Sequence, residues 1–148
     1  MNHSPVALIA VYGSLRRDNH TGRQYLRERS ARFKDLGPCV IKDCSLYFVK
    51  SSIPFNYPTS KPNTPGKDVH ANLLVVDAEC LAHMDRYEGY PNLFTRSVVK
   101  VKLADGTELS AIMYHLNDER MAEAERSQNL ELIEDGDWLK FYQQRGLI

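Results

Sequence analysis

The stretch "VALIAVY", Val6 to Tyr12, is an unbroken apolar run containing Val and Ile, and it stops at Gly13-Ser14. A strand that is apolar on both faces has to be covered on both, so this segment reads as a central strand. The rest of the chain supplies its neighbours. In "SVVKVKLADGTELSAIMYHL" two alternating runs flank Asp105-Gly106, which predicts a hairpin. "CVIKDCSLYFV" and "HANLLVVD" read as further strands. Strands dominate, and several are separated by helices or long connections. That pattern favours an α+β chain with a mixed sheet, or one curled into a barrel, over a regular βαβ array.

The helical segments are fewer. "TGRQYLRERSARF" has the pattern of a weakly amphipathic helix with a basic face, and "DERMAEAERSQ" is helical by propensity. In "DGDWLKFYQQ", Asp137 is placed to cap a last helix carrying Trp138 and Phe141. "VDAECLAHMDRY" predicts a helix with Asp77 at its N-cap and Leu81 and Met84 on one apolar stripe. One more turn of that stripe reaches Glu88, after which Gly89 and Pro91 end the helix. Between two strands lies "KSSIPFNYPTSKPNTPGKD", rich in Ser and holding Pro54, Pro58, Pro62 and Pro65. A loop of that length is a lid, a pocket wall or disordered, and Phe55 and Tyr57 are its candidate pocket contacts.

At 148 residues the chain suits one domain, residues 1–148, with a core large enough to enclose a pocket without disulfides. Formal charge is +0, from 19 Lys+Arg against 19 Asp+Glu, and the arginines from Arg16 to Arg32 form a local cluster rather than a nucleic-acid footprint. Cys39, Cys44 and Cys80 fit neither a disulfide framework nor a zinc pair, which points to a reducing compartment. The N-terminal apolar run is too short to span a bilayer and has no basic segment before it or cleavage site after it. A cytoplasmic protein without membrane or nucleic-acid partners, a monomer or weak dimer, is expected.

Three places carry candidate chemistry. "VYGSLRR" is a strand followed by a Gly-Ser turn, which is either an ordinary turn or a nest of backbone N–H groups that binds an anion. It lacks the Gly-Lys-Ser/Thr of a phosphate loop and the G-x-S-x-G of a nucleophile elbow. Cys80 and His83 share a predicted helix, but a buried cysteine and a surface histidine describe them better than a nucleophile and its base. The other histidines, His3, His20, His70 and His115, are scattered, and no H-E-x-x-H or C-x-x-C organises a metal site. Glu88 is the third. The stripe predicts burial, and a buried carboxyl has a raised pKa unless it is paired; beyond the last helical turn it would instead point to water. Asp85 shares the helix face and is its rival.

"VYGSLRR", "MDRYEGYPNLFTRSVVKV" and "GDWLKFY", in that order and spanning nearly the whole chain, together resemble the γ-glutamylcyclotransferase-like superfamily. The resemblance is closest to the small branch that holds γ-glutamylamine cyclotransferases and the butirosin-pathway enzyme. It implies a mixed-sheet small β-barrel with flanking helices and a pocket at one end. It also implies Glu88 as the catalytic carboxylate and Tyr12, Gly13, Ser14 and Leu15 as the substrate-cradling loop. The implied reaction releases 5-oxoproline and a free amine from a small-molecule γ-glutamyl substrate, with no cofactor and no metal. Phe94 in "NLFTR" stands where relatives often have a tyrosine, which removes a hydroxyl from the expected pocket. The alternative is a non-catalytic small-molecule-binding or interaction protein that retains the pocket.

Overall fold

The computed structural model describes residues 4–13, 15–16, 20–29, 32–50 and 57–145, with the side chains of 20–22 set aside. Along the chain run β1 (Pro5–Val11), α1 (His20–Glu28), β2 (Phe33–Lys42), β3 (Cys44–Val49), β4 (Tyr57–Pro62), β5 (Asp68–Asp77), α2 (Ala78–Glu88), β6 (Phe94–Leu103), β7 (Glu108–Leu116), α3 (Asp118–Arg126), β8 (Leu130–Ile133) and α4 (Trp138–Gln144). Five strands close into a barrel in the order β1-β5-β2-β6-β7, and β4-β3-β8 form a second, three-stranded sheet. The barrel closes where β1 meets β7 in parallel at Ile9 and Ile112, while β6 and β7 are the expected antiparallel hairpin.

Strand alternation divides the core in two. Ala10, Ala71, Leu73, Val101 and Met113 belong to one cluster, which continues through Phe48 into Trp138 and Phe141 of α4. Ile9, Val11, Leu74, Val76 and Tyr114, from the opposite faces of the same strands, pack with Cys80 and Met84 of α2. β1 is central, as its pattern predicts, but it is buried only over Ile9–Val11; Val6 is 56% exposed. Cys39, Cys44 and Cys80 are free and buried.

Three sequence readings change. "CVIKDCSLYFV" is two strands, because Asp43 adopts a positive φ of 56° between β2 and β3, and β2 starts as early as Phe33. The proline-rich excursion is not all loop: residues 57–62 form β4, in register with β3. Prolines fit there because β4 is an edge strand of its sheet, with one side free of ladder hydrogen bonds. Residues 51–56, including Phe55, lie outside the described residues. β8 was not anticipated; its four residues show no alternation strong enough to separate it from a loop.

α2 forms as its sequence dictates. The Asp77 carboxylate accepts from the Cys80 N–H at 2.8 Å, and Gly89 ends the helix in the left-handed region at φ 68°. Asp77→Ala removes the cap and is expected to lower stability by about 1–2 kcal/mol. A chemical-denaturation midpoint unchanged from wild type would contradict the cap's contribution.

Candidate active site

The turn after β1 is held on three sides. Its own closure is the Arg16 N–H donating to the Gly13 carbonyl at 3.0 Å. On the first side, the Tyr12 hydroxyl donates to the Tyr114 carbonyl at 2.6 Å and accepts from the Ser60 N–H at 3.2 Å, tying the turn to β7 of the barrel and β4 of the second sheet. On the second, the Leu15 carbonyl accepts from Arg23 Nε at 2.7 Å, and Arg23 also pairs with Asp35 at 3.0 Å. Burial pulls the Asp35 carboxyl upward, but the Gly37 N–H and the Arg23 guanidinium overcome this and hold it below the usual carboxylate range. On the third, Arg16 bonds Asp137 at 2.8 Å, the residue that caps α4 by accepting from the Lys140 N–H. Residues far apart in the chain thus fix the position of the turn.

At Gly13 the constraint on a side chain is space rather than φ. This residue is not among the glycines with positive φ, but a Cβ built on it lies 3.0 Å from Cγ of Pro58. Leu15 is 2% exposed, in the same cluster as Met84 of α2. Ser14 lies outside the described residues.

Glu88 is the last residue of α2 and is half-buried. Burial alone pushes its carboxyl up to about 7. Burial foremost raises the phenols of Tyr12 and Tyr114 so that they stay protonated; the Glu88 charge adds to this at Tyr12, while at Tyr114 the bond to Asp85 adds more than Glu88 does. Asp85, its rival, is spoken for. The Tyr114 hydroxyl donates to it at 2.6 Å, and Arg96 approaches both of its oxygens at 3.3 and 3.4 Å. Tyr57 and Phe94 pack together with ring centroids 5.9 Å apart.

Cys80 and His83 do not meet as a dyad. Cys80 is fully buried, with its thiol pushed up to about 12 by burial, whereas Nδ1 of His83 lies 2.6 Å from Arg86. Among the described residues no group of three or more His, Cys, Asp or Glu could hold a metal ion, and no helix is long and apolar enough to cross a membrane.

Two cavities among the described residues lie away from the turn. A cavity of about 610 Å³ opens between β1 and β7 against Val6 and Val98, and one of about 330 Å³ lies near Lys42 and His70. Neither touches Tyr12, Gly13, Leu15 or Glu88, and the larger has no titratable side chain in its lining. The turn and the end of α2 bring together a raised carboxyl, two phenols and an anchored backbone turn, and chemistry needs those groups more than it needs volume. The sequence reading named Tyr12, Gly13, Ser14, Leu15 and Glu88 as candidates; it did not anticipate that Tyr114, Arg96, Pro58 and the Arg16–Asp137 pair surround them.

The chain matches the family described as "Gamma-glutamyl cyclotransferase, AIG2-like" over residues 9–140. It is a member of that family. No curated protein matches it by sequence. Among solved structures, it is similar to an AIG2-like protein from Mus musculus, with 22% identity and a TM-score of 0.64 over 77% of this chain and 79% of that one. A structure named gamma-glutamyl cyclotransferase gives 24% identity and a TM-score of 0.60 over 85% of this chain and 69% of that one. Allophanate hydrolase from Kluyveromyces lactis gives 13% identity and a TM-score of 0.70 over 97% of this chain but only 22% of that one. The α+β fold, a small mixed barrel with flanking helices, is the one these proteins share.

Proposed function

We propose that the protein is a γ-glutamyl cyclotransferase that converts a γ-glutamyl amine or amino acid into 5-oxoproline and a free amine, with Glu88 as general acid and base. The observation that carries this reading is the Glu88 carboxyl, pushed up to about 7 by burial at the end of α2. Family membership supports cyclotransferase chemistry in general.

The substrate's own α-amine is the nucleophile. It attacks the γ-carbonyl carbon, the new C–N bond closes the ring, and the bond from that carbon to the leaving nitrogen breaks. The amine arrives as an ammonium and sheds two protons on its way to the lactam N–H: one is removed before attack and handed to the leaving nitrogen, and the other passes to solvent. A carboxyl titrating near 7 exists in both forms at neutral pH, so one residue serves both transfers, a contribution of roughly two to four orders of magnitude in rate. Because ring closure is intramolecular, the remaining work is holding a reactive conformer. Backbone N–H groups of the Gly13-Ser14-Leu15 turn would face the substrate carboxylate or the developing oxyanion. Tyr57 and Phe94 are candidates for the wall against the leaving group.

A turn that acts through its backbone makes unequal demands on its residues. Ser14→Ala keeps every N–H, so it is expected to lose at most about tenfold in kcat/KM, the worth of one hydrogen bond. Gly13→Val drives branched carbons into the Pro58 ring and is expected to cost on the order of a hundredfold or more by displacing the turn. A folded Ser14→Ala protein without activity would instead indicate a covalent serine. The function itself is tested by screening γ-glutamyl amines and γ-glutamyl amino acids for release of 5-oxoproline; release from none of them contradicts the proposal.

A further inference from the structure

Asp85 lies one turn before Glu88 on α2, and its partners come from the barrel wall. Arg96 of β6 and Tyr114 of β7 are direct cross-strand partners, so their side chains share the face that looks toward α2. Tyr114 Oη lies 2.6 Å from Asp85 Oδ1, and Arg96 Nη1 lies 3.3 Å from the same oxygen. Arg96 is steadied in turn by the Tyr90 ring, 4.2 Å beneath its guanidinium. The three side chains form one connected cluster at the edge of the core, with about a quarter of the Asp85 and Arg96 side chains still open to solvent.

The direction of the short bond matters. A carboxylate only accepts, so the phenol has to donate. With its one proton committed to Asp85, the Tyr114 oxygen presents only lone pairs to any other neighbour. A free phenol could rotate and offer either a proton or a lone pair; this one is set as an acceptor. The Tyr114 backbone carbonyl is already held by Tyr12, which anchors the same residue to the turn after β1.

We infer that Asp85 is a positioning residue that fixes the Tyr114 hydroxyl as an acceptor for the substrate's α-ammonium, presenting that nitrogen to Glu88 for proton removal. The inference rests on the cyclotransferase reading. It deepens that reading by assigning the recognition of the amine, as distinct from its deprotonation. Arg96, beside Tyr114 on the same sheet face, holds Asp85 in place and does not touch the substrate. A ligand without the α-amine gains nothing from this arrangement.

That selectivity supplies the test. Calorimetry compares L-glutamine with glutaramate, the same molecule without its α-amine, in the Glu88→Gln background where ring closure is off. The variants added to it are Asp85→Ala, which leaves no acceptor for the phenol, Tyr114→Phe and the two combined. The background protein is expected to prefer L-glutamine by about tenfold or more, as a hydrogen bond to a charged group would give. Asp85→Ala and Tyr114→Phe should each remove most of that preference, the combination should be no worse than Tyr114→Phe alone, and affinity for glutaramate should stay within about twofold throughout. A merely structural role would instead weaken both ligands together. Equal or absent binding of the two ligands to the background protein, parallel loss of glutaramate binding, or additive losses in the combined variant would overturn the inference. Turnover by the wild-type protein reports separately on the reaction: a protein that discriminates between the ligands but releases no 5-oxoproline would sink the cyclotransferase reading and leave the amine site standing.

Discussion

Glu88→Gln is expected to lower 5-oxoproline release by roughly a hundredfold to ten-thousandfold while making the folded protein more stable above neutral pH. The first effect is the loss of the proton shuttle, since the amide keeps the shape of the side chain but cannot exchange a proton. The second follows from the same burial that raises the carboxyl to about 7. Because that value lies above the ordinary one of 4.5, the native state retains a proton that the unfolded chain has already released. The associated stability is fully present below about 4.5, declines as pH rises, and is lost once pH passes about 7. At about 1.4 kcal/mol per unit, the wild-type protein forfeits up to about 3 kcal/mol across that window, with the exposed fraction of the residue reducing the figure. The glutamine variant has no such dependence at this position. Its denaturation midpoint, compared with wild type at pH 5 and pH 8, should therefore gain most at pH 8. A variant that is both active and less stable at pH 8 would contradict burial as the cause of the shift. Asp85→Asn is expected to be milder in turnover, because that carboxylate orients rather than transfers a proton.

The second large effect concerns Gly136. This glycine has φ +67°, and a Cβ placed on it would lie 2.1 Å from the carbonyl oxygen of Asp68 and 3.2 Å from Cα of Val69. Both are backbone atoms of β5, which cannot rotate aside as a flexible side chain would. Its carbonyl also accepts from the His70 N–H at 2.8 Å, so the loop before α4 is fastened to the barrel at the same point. Gly136→Ala combines left-handed strain with a backbone collision, and the expected loss is about 4 kcal/mol or more, enough to unfold a marginal domain. The consequence reaches the site, because the next residue, Asp137, caps α4 and bonds Arg16 at the end of the turn after β1. A urea midpoint within about 1 kcal/mol of wild type would show that the loop relaxes more easily than its contacts imply.

Local signals explain which parts of this protein were legible in sequence. Caps and periodicity act over a few residues, so α2, with Asp77 before it and Gly89 after it, was readable from its own segment, as were the β6–β7 hairpin and the Asp137 cap. The proline-rich segment misled because proline was read as a loop former, whereas on an edge strand its missing donor costs little. β8 is short and half-buried, and its pairing with β3 comes from a distant part of the chain. For the candidate site, the position of Glu88 at the partly buried end of α2 was legible because a charged group at the end of an apolar stripe contradicts its surroundings. The supporting contacts were not, since Arg16–Asp137 spans 121 residues and Tyr12–Tyr114 spans 102. One more was within reach. The hairpin closes with Gly106 in the left-handed region, and carrying that register back along the strands sets Arg96 opposite Tyr114. What no pattern in the chain conveyed was that Asp85 would meet them there.

The pH dependence of 5-oxoproline release by the wild-type protein, measured as kcat/KM on a γ-glutamyl amine, tests the central claim most directly. A carboxyl that has to be ionised to accept the proton and that titrates at about 7 gives an acid limb with its midpoint there, falling about tenfold per pH unit below it. The account predicts that limb, and predicts that the residual rate of Glu88→Gln lacks it. A limb centred near 4.5, the ordinary value for a glutamate, or one that persists unchanged in Glu88→Gln, would contradict the assignment of Glu88 as the group that carries the proton.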